Sequence, residues 1–245
     1  MSQAQPRHMS PPKGTMTYDD GAYVPDPTNE WHLPFSVAHP MMARMIAIML
    51  IFAIGSVAGW VYETVFDVIQ GHGIVVRAQF LLPWCPIYGI GCAILEVMVG
   101  NGFHRRPNPA SQLTTYIAVS AIMVTACELM ASYIIEATSG TFPWDYSAYP
   151  LNFEGRVALP FTALFTCGAT LMLAVVNPWV HRQVDKDPAM ASAFYAMICI
   201  LLAIELFVQY AGIADSVRDY IVHHTTILLH NHHIDIPVSI QSSSG

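Results

Sequence analysis

Five long apolar stretches, at about 42–67, 80–99, 113–137, 157–177 and 189–212, leave this chain few ways to fold. Each approaches the ~20 residues that carry a helix through a bilayer. Lipid offers no hydrogen bonds to a bare peptide group, so only helices or a closed barrel can cross it. Barrel strands alternate apolar and polar residues over ~10 positions, and a run such as AMICILLAIELFV does not alternate. All five stretches therefore read as helices. The charged fraction is 11%, well below the ~25% of an ordinary soluble domain. The expected fold is all-α, a polytopic membrane helix bundle of five transmembrane helices.

The first 40 residues are polar, hold seven of the 17 prolines, and lack the basic start and apolar core of a secretory signal. They read as a disordered cytoplasmic tail. Orientation follows from arginine and lysine, which stay in excess on the cytoplasmic side. With the N-terminus inside, Arg7, Lys13, Arg44, Arg105, Arg106, Arg182 and Lys186 lie inside, and only Arg77, Arg156 and Arg218 lie outside. The expectation is N-inside and C-outside, with a tail over 1–40, a transmembrane bundle over 41–213 and a His-rich external tail over 214–245. A net charge of −7 offers no basic surface for nucleic acid.

Inside this frame one arrangement occurs twice: a helix ending in glutamate, a turn, an arginine and a Leu-Pro. The first copy holds Glu63, Arg77 and Leu82-Pro83, and the second Glu136, Arg156 and Leu159-Pro160. Helices 1 and 2 and helices 3 and 4 then form a parallel repeat of two helical hairpins, an organisation some transporters share. A pseudo-two-fold overlay of Arg77 on Arg156 is expected from it.

Polar residues also line helix faces. Ser56, Trp60, Glu63 and Asp67 form a stripe on helix 1, Glu128, Ser132 and Glu136 on helix 3, and Glu205 and Gln209 on helix 5. On the expected topology these stripes and both arginines converge towards the outer face. Two readings stay open: glutamates neutralised by Arg77 and Arg156 that only hold helices together, or an outward-facing polar cavity, since intramembrane carboxylates often mark a substrate or ion path. Glu96 stands apart near the inner end of helix 2, where a glutamate can reach the interface without further role.

Helix 2 begins with FLLPWCPIYGIG, in which Pro83 and Pro86 either break a helix beside a cavity or simply place its first turn at Pro86. In the loop at 138–156, Trp144, Tyr146 and Tyr149 suit an interfacial belt, while Asp145 and Arg156 suit a paired lid. Cys85, beside Pro86 at the outer rim, is the one cysteine placed to react, against a simple packing role. His223, His224, His230, His232 and His233 are weak metal candidates in what reads as a helix-free stretch, because their spacing is irregular and no acid or cysteine completes a site. No cofactor is expected. The chain has no GxxxxGK, HExxH or GxSxG, so any ATPase is a separate subunit.

GWVYE, then Arg77 followed by FLLPWCPIYG, then WDYSAYPLNFEGR at 144–156, resemble the type IV ABC-transporter permease family of bacterial multi-spanning membrane proteins. The resemblance covers about residues 45–180. It picks out Gly59, Trp60 and Glu63 in helix 1, Arg77, Pro83, Cys85, Pro86, Tyr88 and Gly89 around helix 2, and Trp144, Asp145, Tyr146, Ser147, Asn152, Gly155 and Arg156 in the loop. Val76 and Ala78 stand where the family has Asn and Gly, and Phe165-Thr166 where it has Trp-Gly. The resemblance implies a multi-pass permease of the bacterial cytoplasmic membrane.

The function expected is a permease subunit with a polar cavity lined by carboxylates and two arginines. The alternatives are a membrane enzyme acting on a lipid-linked substrate through Glu63 or Glu136, and an assembly or sensor subunit that transports nothing. Five helices are few for a complete pore, so a homodimer or a partner subunit is expected, for which Gly55 and Gly59 suit close helix contacts.

Overall fold

A computed structural model describes residues 18–19, 22–23, 34–76, 82–99, 108–231 and 237–240. Arg77, and with it part of the first repeated unit, lies outside the described residues, as do His232 and His233.

Strands β1 (Tyr18–Asp19) and β2 (Ala22–Tyr23) pair antiparallel. Helix α1 (Phe35–Ala38), α2 (Pro40–Ile69), strand β3 (Ile74–Val76), α3 (Pro86–Val99) and α4 (Pro109–Ser139) follow. Strands β4 (Asn152–Phe153) and β5 (Val157–Ala158) make a small antiparallel hairpin. Helix α5 (Leu159–Leu171), a π-helical turn (Met172–Val176) and α6 (Asn177–Lys186) then run as one rod. Helix α7 (Pro188–Tyr210), α8 (Ala214–Asn231) and strand β6 (Val238–Ile240) complete the described chain.

Four of these helical rods are long and apolar enough to cross a membrane: α2, α4, α5–α6 and α7. Helix α3 has 14 residues, or about 21 Å, short of the ~30 Å hydrocarbon core. It starts at Pro86 rather than near 80, because a proline with fixed φ and no N–H fits a first turn and cannot continue one. Pro40, Pro109, Pro160 and Pro188 begin α2, α4, α5 and α7 in the same way. Helix α4 stops at Gly140, whose φ of 71° is the left-handed closure open to glycine.

The π-helical turn also has a local cause. In an unbroken α-helix the residue at 178 would donate to the carbonyl of Ala174, but Pro178 has no N–H and its ring crowds that carbonyl. The helix absorbs the conflict by inserting an extra residue into the turn just before it.

Helix α3 lies along α2 on a seam of small residues. A Cβ on Gly59 would sit 2.3 Å from the Tyr88 ring, and one on Gly89 would sit 2.0 Å from Ser56 Oγ. Gly55 and Gly59 therefore bring two helices of the same chain together, rather than being left for a second copy.

We call the end carrying residues 140–158 the loop end. At the far end, Ala43, Ile46, Ala47 and Ile51 of α2 pack with Met172, Val180, Val184 and Ala191, and Phe35 of α1 joins them. Ser36 donates from its amide and hydroxyl to Asp185, at 2.8 and 3.0 Å. Helix α1 thus belongs to the bundle, although it lies inside the stretch expected to be a tail, because it has both an apolar and a polar anchor.

A second difference lies after α7. Residues 214–231, expected to be free of helix, form α8, on which Val217, Ile221, Thr225 and Leu229 are half-buried at four-residue steps. The histidines obscured this period. Beyond α8, β6 pairs in parallel with β3, joining the end of the described chain to the segment after α2.

Candidate functional site

At the loop end the polar side chains divide into two groups. The first is centred on Arg156, a buried residue of the β4–β5 hairpin. Its guanidinium bonds Glu136 and donates to Ser132 Oγ at 2.8 Å, and its Nε lies 3.7 Å from Glu154. It also lies over the Tyr133 ring at 4.0 Å and near the Phe142 ring at 4.7 Å. Ser132 and Glu136 are one turn apart on α4, so the expected stripe presents both to one cation.

The 140–158 loop is built to deliver that cation. Trp144 Nε1 donates to the Arg156 carbonyl at 2.8 Å. Asn152 donates to the carbonyls of Ser147 and Tyr149 and accepts from the Gly155 amide. Leu151 and Glu154 hold positive φ, at 53° and 54°, conformations that persist where surrounding contacts over-determine the backbone. Asp145 does not pair with Arg156. Its carboxylate accepts the Ser147 amide at 2.8 Å, a bond that holds it below the usual carboxylate range. The side chain of a two-residue turn is satisfied before it can reach the arginine. Tyr149 is likewise packed inward, edge-on to Phe161 at 4.8 Å, rather than standing in a belt.

The second group lies beneath this loop. Tyr146 stacks on Phe161 at 4.3 Å, and the rings of Tyr62, Phe66, Tyr88, Phe161 and Phe165 continue the contact across α2, α3 and α5. Tyr62 and Tyr146 each lie within electrostatic reach of both Glu63 and Glu128. Burial, with the nearby Glu128 carboxylate, pushes the Tyr146 hydroxyl far above its ordinary range. Glu63 hydrogen-bonds the Tyr88 hydroxyl. Glu128 accepts a long 3.4 Å bond from Thr162, and its other oxygen is buried without a hydrogen-bond partner.

The remaining expected residues lie elsewhere. Glu205 is 2% exposed and accepts from the Leu82 amide and from Gln209, both at 3.1 Å, which ties α7 to the segment entering α3. Cys85 is half-buried, and its amide donates to the Ser56 carbonyl at 2.9 Å. His223, His224 and His230 sit on α8, and among the described residues no three His, Cys, Asp or Glu side chains come together to hold a metal. The two repeated units are locally unlike: Leu159-Pro160 opens α5, whereas Leu82-Pro83 precedes α3 in a bend. A groove of about 710 Å³ runs between α2 and α7, lined by residues such as Ile54, Val57, Trp84, Phe194 and Ile198. It is apolar and contains none of the stripe glutamates.

One polar cluster escaped the sequence reading. Glu96 does not reach an interface: it is 3% exposed and bonded to Asn177 and His181 of α6. The available signal was Asn177-Pro178 with a histidine four residues on, in a rod otherwise apolar up to that point.

Four membrane-length helical rods and a shorter apolar helix packed along one of them define a multi-pass membrane protein. The family model described as Putative ABC-transporter type IV matches residues 50–210, from within α2 to the end of α7, and the chain belongs to that family. It is accordingly a permease-class protein of the bacterial cytoplasmic membrane, a class that works with a separate ATPase subunit. No curated protein and no solved structure matches the chain.

Proposed function

We propose that this chain is the membrane-spanning permease subunit of an ABC-type transporter, and that Glu63 and Glu128 line its solute path beneath the 140–158 loop. The observation that carries this reading is the Glu128 carboxylate, within electrostatic reach of Tyr62 and Tyr146 and with one oxygen buried and unbonded. Such a group is costly unless a ligand or proton completes it. Arg156 has a different part, holding the loop as a lid through Glu136 and Glu154. With the N-terminus inside, this lid faces outward, and a second copy or a partner subunit completes the passage.

Co-purification of an ATPase subunit with the full chain tests the reading. The reconstituted complex is expected to hydrolyse ATP in a manner dependent on this chain. Glu63→Gln and Glu128→Gln are expected to remain folded and to lower that coupled rate about tenfold or more, the scale of one charged hydrogen bond lost. Full coupling in the double variant would exclude both carboxylates from the path.

A further inference from the structure

At the far end, Glu96 of α3 is sealed from solvent with both carboxylate oxygens engaged. Asn177 Nδ2 donates to Oε2 at 2.7 Å, and His181 Nε2 lies 2.8 Å from Oε1. Asn177 is 1% exposed, and its own Oδ1 has no hydrogen-bond partner. Were both partners neutral, the carboxylate would leave a net charge out of contact with water, which is costly. One added proton removes that charge. Imidazolium against carboxylate and imidazole against carboxylic acid both keep the 2.8 Å hydrogen bond.

The neighbouring elements bring few other charges. From α2, Arg44 is exposed and spends its guanidinium on the Val97 carbonyl at 3.2 Å. From α4 comes Tyr116, whose hydroxyl accepts from Gln112 at 2.8 Å. Asp185, one turn beyond His181, is held by Ser36 of α1. From α7, Tyr195 packs on the neighbouring apolar cluster. The π-helical turn contributes only apolar residues.

That turn decides whether the cluster exists. Asn177 and His181 follow it directly and lie one turn apart on the same face. Its extra residue sets the rotation of α6, so loss of the π-helical turn, which Pro178 also opposes, would swing both side chains about 100° around the axis, away from Glu96.

We propose that Glu96, Asn177 and His181 form a proton-binding site, which holds one proton between carboxylate and imidazole and is assembled only while the Met172–Val176 turn is π-helical. Proton occupancy and the shape of the rod are then linked, each stabilising the other. The site is independent of the loop-end carboxylates.

The test uses the full chain in lipid nanodiscs, with isotope-labelled histidine nitrogens and glutamate carboxyl carbons read by NMR at neutral pH. The expected wild-type signature is one proton in the pair: an imidazolium facing a carboxylate, or a neutral ring facing a carboxylic acid. A neutral His181 ring facing an ionised Glu96 would overturn the proposal. His181→Gln retains a hydrogen-bond donor but cannot hold the proton. It is expected to raise amide exchange across Leu173–Asn177 by about tenfold, the scale of ordinary site-to-site coupling. Exchange at the wild-type rate would show a merely structural hydrogen bond and sink the linkage. If His181→Gln does not fold, wild-type protection of the same amides, taken relative to their base-catalysed intrinsic rates in acidic and alkaline buffer, replaces it: equal protection overturns the linkage and lower protection in alkali supports it.

Discussion

Arg156 shows most directly how the fold occupies a buried cation with its own side chains. Its side chain is 10% exposed, while those of its partners Glu136 and Glu154 are 44% and 56% exposed. Replacing it with alanine leaves two carboxylates that water can reach, so the cost should fall below the ~3–5 kcal/mol of a fully buried pair. Arg156→Ala is expected to lose about 2 kcal/mol in detergent unfolding. Arg156→Lys should lose about half as much, since a single ammonium cannot bridge Ser132 and Glu136 as a guanidinium fork does. Equal stability of all three proteins would remove Arg156 as the anchor of the loop. The sequence placed Glu136 and Arg156 in one repeated unit and left open whether such charges pair with one another or line a cavity. It could not tell that Asp145 would spend its carboxylate two residues away, since that depends on the turn formed by the loop.

At the scale of elements, the α2–α3 seam sets the tightest demand. A Cβ at Gly59 meets the Tyr88 ring at 2.3 Å, whereas one at Gly91 meets nothing within 4 Å. Gly59→Ala is expected to destabilise by about 1–3 kcal/mol through overpacking, and Gly91→Ala to stabilise by up to about 1 kcal/mol through helix propensity. Thermal unfolding of the two variants side by side checks the pair, and a neutral Gly59→Ala would mean that the helices are not in contact there. Proline opens the first turn at 40, 86, 109 and 188, and of these the sequence reading singled out only Pro86, as one of two alternatives. Helix α8 was not legible, because its polar composition hid a four-residue period. The π-helical turn was also missed, although Pro178 announces a disturbance one turn upstream.

Across the whole molecule, β6 pairs with β3 and Gly73 packs against Pro237, so the end of the described chain braces the segment leading from α2 towards α3. Deleting residues 237–245 is expected to speed hydrogen exchange at Ile74–Val76 while leaving the α2–α3 seam protected. Unchanged exchange at β3 would argue that the pairing does not persist in solution. Membrane residence and a helical fold follow from the sequence alone, because hydropathy and length are local sums that a bilayer reads segment by segment. Partner choice is not local. Glu96 and His181 stand 85 residues apart, and Glu205 and Leu82 stand 123 apart. Only the packed bundle decides which buried carboxylate meets an arginine, a histidine or a backbone amide, because a side chain removed from water bonds whatever the neighbouring helix presents.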